Sequence, residues 1–184
     1  DQVSGTARVQ PGMTGPALER LLEARGLTWG HVPQSWERAT IGGYAATRSA
    51  GQSSTGYGRS DATVQAIVVA TPRGTLRLGR APSSAAGPDL RALFLGSEGA
   101  LGVITEVTLR VRRLPSTRWF EAVMFPDLDA GEAAFRELAQ ARASADVMRL
   151  SDLAETRATL RMSGPTGRTA QAVDGYLKVR RVTD

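Results

Sequence analysis

From Ala39 to Asp61 the chain reads ATIGGYAATRSAGQSSTGYGRSD, a run dominated by Gly, Ala, Ser and Thr. Gly and Ala let backbone N–H groups approach an anion without Cβ obstruction. Ser and Thr hydroxyls add donors, and grouped donors of this kind make a phosphate-binding concavity. Gly42, Gly43, Thr47, Ser49 and Gly51 offer a tight bend and convergent donors. A flexible linker is the competing reading, but strand-like segments flank the run and Ile41, Tyr44 and Tyr57 lie inside it. A second small-residue segment, GSEGALGVIT from Gly96 to Thr105, lies directly before a clean strand pattern. Two Gly-rich loops can line one elongated ligand. Neither contains G-x-x-x-x-G-K-[ST], and no G-x-G-x-x-G follows a strand, so a P-loop or dinucleotide fingerprint of the Rossmann kind is not supported.

The remaining chemistry-bearing residues are isolated. His31, the only histidine, sits in WGHVPQSW. Without acidic or thiol neighbours at ligand spacing it makes no metal site, and it is read as a structural hydrogen-bonding group, with a place beside a cofactor as the functional alternative. Arg48 is either a phosphate partner or a surface arginine. Glu98, between glycines, either orients a ribose hydroxyl or caps the next turn. Glu132, Glu137, Asp152 and Glu155 form no acid/base pair, and Trp29, Trp36 and Trp119 are expected in the core or at a domain interface. No cysteine is present, which excludes disulfides, thiolate metal sites and a cysteinyl cofactor link in this stretch.

The elements that must position these loops follow from periodicity. PALERLLEAR (Pro16 to Arg25) predicts a short helix, with Pro in the first turn, Leu18, Leu21 and Leu22 on one face and Gly26 as its stop. AIVVATPRGTLRL (Ala66 to Leu78) predicts two strands joined by a Pro/Gly turn. RAPSSAAGPD is loop by composition, and Asp89 is placed to cap a short LRALFL helix. VITEVTLRVR (Val103 to Arg112) alternates cleanly, with Val103, Thr105, Val107, Leu109 and Val111 on one side, as a half-buried strand does. Beyond it a βαβ series is expected: strand WFEAVMF (Trp119 to Phe125), a helix capped by Asp129 with Glu132 as its capping box, and strand DVMRL (Asp146 to Leu150). GPTGRT (Gly164 to Thr169) reads as a loop and AVDGYLKVRR (Ala172 to Arg181) as a helix.

The 184 residues suit one domain plus part of another. With 41% hydrophobic and 22% charged residues, overall disorder is excluded. No apolar run approaches the roughly 20 residues of a spanning helix. The net charge of +5 favours anionic partners, yet the arginines are scattered. RVRR (Arg110 to Arg113) and KVRR (Lys178 to Arg181) are tight groups without an aromatic ladder beside them, so nucleic-acid binding is the weaker, non-enzyme alternative.

PQSWERATIGGYAATRSAGQSSTGYGRSD, followed by VATPRGTLRL and LFLGSEGALGVITEVTLRVR, resembles the PCMH-type FAD-binding domain of the vanillyl-alcohol oxidase superfamily. Within it the chain is most similar to the alkyldihydroxyacetonephosphate synthase family and bacterial FAD-linked oxidase relatives, through Thr40-Ile41-Gly42-Gly43, Thr47-Arg48-Ser49-Ala50-Gly51, Tyr57-Gly58-Arg59 and Gly96-Ser97-Glu98-Gly99. The resemblance implies an α+β fold. Residues 1–114 would be the second lobe of the FAD-binding domain, a mixed or antiparallel sheet flanked by helices, and residues 115–184 the beginning of an α/β cap domain.

The resemblance also implies the cofactor, FAD, and the residues that touch it: Gln34, Ser35, Trp36, Glu37, Arg38, Ala39 and Thr40; Ile41, Gly42 and Gly43; Thr47, Arg48, Ser49, Ala50 and Gly51; Glu98, Gly99, Ala100, Leu101, Gly102, Val103 and Ile104. Thr40, Thr47, Ser49 and the Gly-turn amides would meet the diphosphate or ribityl chain, and Leu101 to Ile104 would close over a ring. The chain departs from the family at Gln34, where Asp is common, and at Ala39 and Ala50, where a hydroxyl is common; each change removes one polar contact. The family's first lobe, with a GGGTS-like loop, would precede Asp1, and its catalytic Tyr and His would follow Asp184, so no catalytic residue is assigned. The implied activity is exchange of the acyl group of an acyl-dihydroxyacetonephosphate for a fatty alcohol, without net redox change. The enzymatic alternative is a D-2-hydroxyacid oxidase or dehydrogenase. A small or lipid-like substrate, cytoplasmic location and a homodimer as one possible assembly complete the expectation.

Overall fold

Alternating apolar residues build the centre of the first unit around an antiparallel sheet. The computed structural model describes residues 1–79, 84–143, 145–163 and 175. It divides the chain into two units, Asp1–Ser116 and Thr117–Asp184. In chain order the first contains β1 (Thr6–Val9), α1 (Gly15–Glu23), β2 (Leu27–Thr28), α2 (Ile41–Thr47), α3 (Ser54–Tyr57), α4 (Ser60–Thr63), β3 (Val64–Thr71), β4 (Gly74–Leu78), α5 (Arg91–Phe94), β5 (Val103–Arg110) and β6 (Arg112–Arg113). The main sheet has the order β1-β5-β3-β4, and β2 pairs with β6 in a second, two-stranded ladder. Every pairing is antiparallel. The predicted hairpin is β3–β4, closed where Thr71 faces Gly74.

The predicted helix forms as α1. Pro16 occupies its first turn, Leu18 and Leu22 are buried, and Gly26 leaves it at positive φ. Each buried leucine contributes about 2 kcal/mol by removal from water. The core joins them to Ile41, Tyr44 and Ala45 of α2, to Val64, Ile67 and Val69 of β3, and to Val107 and Leu109 of β5. β1 carries no strong strand signal of its own; it is held as an edge strand by its register with β5, Thr6 opposite Arg110 and Val9 opposite Val107.

The strict alternation expected for β5 is interrupted. Val68 pairs with Glu106 and Val69 with Ile104, so Thr105 is an extra residue, and its hydroxyl donates to the Val68 carbonyl at 3.2 Å. An inserted residue reverses which side chains face inward. Hence Val107 and Leu109 are fully buried, but Val103 is 66% exposed and Ile104 packs on the core in its place.

The second unit contains α6 (Leu128–Gln140) and α7 (Leu153–Ser163). The α6 cap is Asp127, whose carboxylate accepts from the Ala130 amide, so the expected Asp129 cap is displaced by two residues. The strands expected at Trp119 to Phe125 and Asp146 to Leu150 do not form. A strand requires a ladder partner, and among the described residues no segment pairs with either. Trp119 is consequently 80% exposed, not a core residue. The loop expected at Gly164 to Thr169 and the helix at Ala172 to Arg181 lie outside the described residues apart from Gly175.

Candidate functional site: the outer strip of α2 and the Gly96–Gly102 loop

Helix α2 begins at Thr40, whose hydroxyl accepts from the Gly43 amide at 3.2 Å. Ile41, Tyr44 and Ala45 face the core. The opposite strip is Thr40, Gly43 and Thr47, side by side at helical spacing; the Thr47 hydroxyl donates back to the Gly43 carbonyl at 3.0 Å. The second Gly-rich loop docks on the other end of this helix. The Gly96 amide donates to the Ala45 carbonyl and the Glu98 amide to the Ala46 carbonyl, each at 3.1 Å. The two small-residue segments that the sequence singled out are therefore neighbours.

Their main-chain amides are not all bare, contrary to the expectation for the Gly turn. The Ile41 amide donates to the Met13 carbonyl and the Gly42 amide to the Pro11 carbonyl, both at 2.8 Å. These acceptors lie in the turn after β1, which carried no sequence signal of a role here. Nor is Gly42 small for a ligand's sake: a Cβ there would sit 2.4 Å from Pro11 Cβ. Gly51 is small because the Val32 carbonyl oxygen lies 2.5 Å from where its Cβ would be. Gly43 differs, since its Cβ would meet only Thr40 Oγ1, at 3.4 Å, and Gly99 would meet nothing.

Arg48 is committed inward as well. It ends α2 in the left-handed region at φ 51°, and its guanidinium donates to the carbonyls of Leu95 at 2.8 Å and Ala92 at 2.7 Å. Those are carbonyls at the end of α5, so Arg48 staples α2 to α5. A cavity of about 170 Å³ beside it is lined by Arg48, Asp61, Asp89 and Arg91, but these charges already pair with one another. The cap of α5 is Leu90, one residue beyond the expected Asp89; the Asp89 carboxylate still accepts from the Arg91 amide, and its bond to the Arg91 side chain lowers its pKa.

The Gln34–Thr40 segment is held from below. The Tyr44 hydroxyl donates toward the carbonyls of Trp36 at 3.2 Å and Ser35 at 3.5 Å, while Gln34, Ser35, Glu37 and Arg38 are exposed. Trp36 is half-buried over Gly15, and Ala39 packs against the core. Ser49 faces His31, with Oγ 3.2 Å from Nε2. His31 is fully buried, and burial pulls its pKa from 6.5 to about 4, so the ring is neutral. Ala50, Glu98, Gly99, Ala100, Leu101 and Val103 are exposed, and Gly102 is tight against the Ala70 carbonyl. Glu98 adopts φ 51°.

These residues fit an anionic dinucleotide lying along the strip. The Thr40 hydroxyl accepts internally, which leaves its proton for a ligand, whereas the Thr47 proton is already engaged. Among the described residues no group accepts from the amides of Ala50 or Gly99. Leu101, 50% exposed, and Val103 supply apolar surface beside them. In the basic run RVRR, Arg110 and Arg112 donate to the carbonyls of Ala62 and Gly56, and Arg112 also covers Tyr57; KVRR lies outside the described residues. No group of His, Cys, Asp or Glu among the described residues can hold a metal ion. No helix among them is long and apolar enough to cross a membrane.

The first unit is an antiparallel α+β lobe with an open, donor-bearing strip, and comparison with known proteins gives its class. Residues 1–79 match the FAD binding domain family, and FAD is the cofactor that this match and the relatives below support. Alkyldihydroxyacetonephosphate synthase of Caenorhabditis elegans is 37% identical over 153 residues, 83% of this chain and 26% of that protein. A solved alkyldihydroxyacetonephosphate synthase superposes with a TM-score of 0.80 at 32% identity, over 98% of this chain and 33% of the other. The mitochondrial D-lactate dehydrogenase [cytochrome] of Arabidopsis thaliana is 40% identical over 129 residues, 68% of this chain and 22% of that protein. The chain thus spans about a fifth to a third of the length of these relatives.

Proposed function

We propose that this chain is the flavin-holding part of an FAD-dependent enzyme of the alkyldihydroxyacetonephosphate synthase kind. Its segments Gln34–Thr40, Thr47–Ala50 and Glu98–Ile104 face the cofactor. The observation that carries the reading is Gly43. It is a helical glycine that the protein's own packing does not require, flanked on the same strip by two hydroxyls. A glycine inside a helix costs about 1 kcal/mol relative to alanine, and space kept open at that cost suits close approach of a ligand.

The bound flavin supplies the reactive centre of the exchange. The residues of this chain bind and orient it. The Thr40 hydroxyl and the amides of Ala50 and Gly99 present donors to the diphosphate, and Leu101 and Val103 give the ring an apolar surface that sheds water. The substrate class is an acylated or alkylated glycerone phosphate. A D-2-hydroxyacid is the second reading, favoured by the D-lactate dehydrogenase similarity. The cytoplasmic location and homodimer belong to the same proposal, and fractionation and gel filtration test them.

Full-length protein, purified and denatured, is expected to release FAD, and the holoprotein to exchange labelled fatty alcohol into acyl-dihydroxyacetonephosphate. Absence of flavin, with no uptake on adding FAD, overturns the cofactor assignment. Flavin bleaching by a 2-hydroxyacid panel, without alcohol exchange, replaces the first substrate class by the second.

A further inference from the structure

His31 lies beneath the strip as the middle of an aromatic cluster. Its ring is 4.8 Å from Trp29 and 5.2 Å from Tyr44, centroid to centroid. This cluster reaches two of the three cofactor-facing segments at once. Tyr44 holds the carbonyls of Ser35 and Trp36, and His31 holds the Ser49 side chain. The third, Glu98–Ile104, hangs from the Ala45 and Ala46 carbonyls of the helix that carries Tyr44.

We propose that His31 is a positioning residue for the cofactor: its Nε2–H donates to Ser49 Oγ and leaves the Ser49 hydroxyl proton for the anionic diphosphate. This rests on the FAD reading of the strip. The tautomer follows from the surroundings of the other ring nitrogen. His31 Nδ1 is buried and has no hydrogen-bond partner. A neutral imidazole carries one N–H, and burial keeps this ring neutral. Placing the hydrogen on Nδ1 would orphan a buried donor, whereas placing it on Nε2 leaves only a lone pair unsatisfied, the lesser penalty. Ser49 Oγ is then an acceptor toward the interior. Its main chain is also committed inward, the amide to the Tyr44 carbonyl and the carbonyl to the Ser60 amide, each at 3.0 Å. The hydroxyl proton is what Ser49 has left to offer. A donor fixed in this way is worth more to an anion than a free rotor, because its orientation is settled before the ligand arrives.

The test uses full-length protein. Nitrogen NMR of histidine-labelled samples, with His31→Gln to assign the resonance, is expected to show a neutral ring protonated on Nε2; an Nδ1–H tautomer or an imidazolium at neutral pH overturns the proposal. FAD affinity is then measured by calorimetry in His31→Phe, which fills the space without a donor, His31→Gln, whose amide N–H replaces Nε2–H, and Ser49→Ala. His31→Phe is expected to weaken FAD binding about tenfold, the loss typical of one hydrogen bond to a charged group, and His31→Gln to restore most of it. In a Ser49→Ala background His31→Phe should cost nothing further. An equal loss in both backgrounds makes His31 a packing residue and sinks the proposal, as does a His31→Gln variant that folds but binds no better than His31→Phe. If wild-type protein takes up no FAD, the cofactor reading itself has failed, and the positioning role falls with it.

Discussion

On the inner side of the lobe, Gly30 lies under the Tyr57 ring, Gly42 against Pro11 and Gly51 against the Val32 carbonyl. On the outer side, a Cβ on Gly43 would meet only Thr40 Oγ1, at 3.4 Å, while Gly99 has open space but a φ of +87° that itself calls for glycine. The same residue type therefore answers two demands. Inside, it lets one backbone segment cross another; outside, it keeps the surface bare. The difference separates glycines whose replacement should unfold the lobe from Gly43, whose replacement should spare the fold and touch only the ligand.

Gly30→Ala is the harshest test of the inner side. The position has φ +73°, and an added Cβ would lie 2.1 Å from the Tyr57 ring, so left-handed strain adds to overpacking. A loss of about 3 kcal/mol is expected in denaturant unfolding. An effect within about 0.5 kcal/mol would show that the inner side is as loose as the outer.

Acid probes the same side through His31. Its pKa is about 4 in the fold against 6.5 unfolded, so the unfolded chain binds the proton first as pH falls. Stability from this group is complete above pH 6.5 and is lost as pH drops toward 4. The loss is on the order of 3 kcal/mol. It is read as the difference in unfolding free energy between wild type and His31→Gln across that range, and a flat difference would mean that the ring is not sealed. A smaller loss, about 2 kcal/mol, is expected for Gly42→Ala, whose Cβ meets both the side chain and backbone of Pro11.

Much of the first unit was legible because local signals and tertiary demands agree there. The α1 stop at Gly26, the β3–β4 turn and the Asp89 contact to the Arg91 amide each rest on residues a few positions apart. What the sequence concealed depends on distant partners. Nothing near Gly42 announces that Pro11 and Met13 will take up the α2 amides, and nothing near Thr105 announces the register shift that turns Ile104 inward. Trp119 to Phe125 has strand composition, yet composition gives only the capacity to pair, and no described segment pairs with it. For the site, the small-residue runs marked two loops that the structure brings together. Their composition alone did not distinguish a glycine needed by the fold from one left open, nor show Arg48 turned toward Leu95 and Ala92.

The finest cut through the comparison is Gly43→Ala, one position from Gly42 on the same helix. Its Cβ would approach only Thr40 Oγ1, at 3.4 Å, which is ordinary contact. Alanine is the better helix former and narrows the unfolded ensemble, so the apoprotein should gain about 0.5–1 kcal/mol. The added methyl stands on the strip where the cofactor is proposed to lie, and FAD affinity should fall about tenfold, as one misplaced methyl in a tight contact commonly costs. Gain of stability together with loss of affinity is a pairing that a purely structural glycine cannot give. Were Gly43→Ala to bind FAD as tightly as wild type, the open strip would not be the cofactor's seat, and the bare helix face would need another occupant.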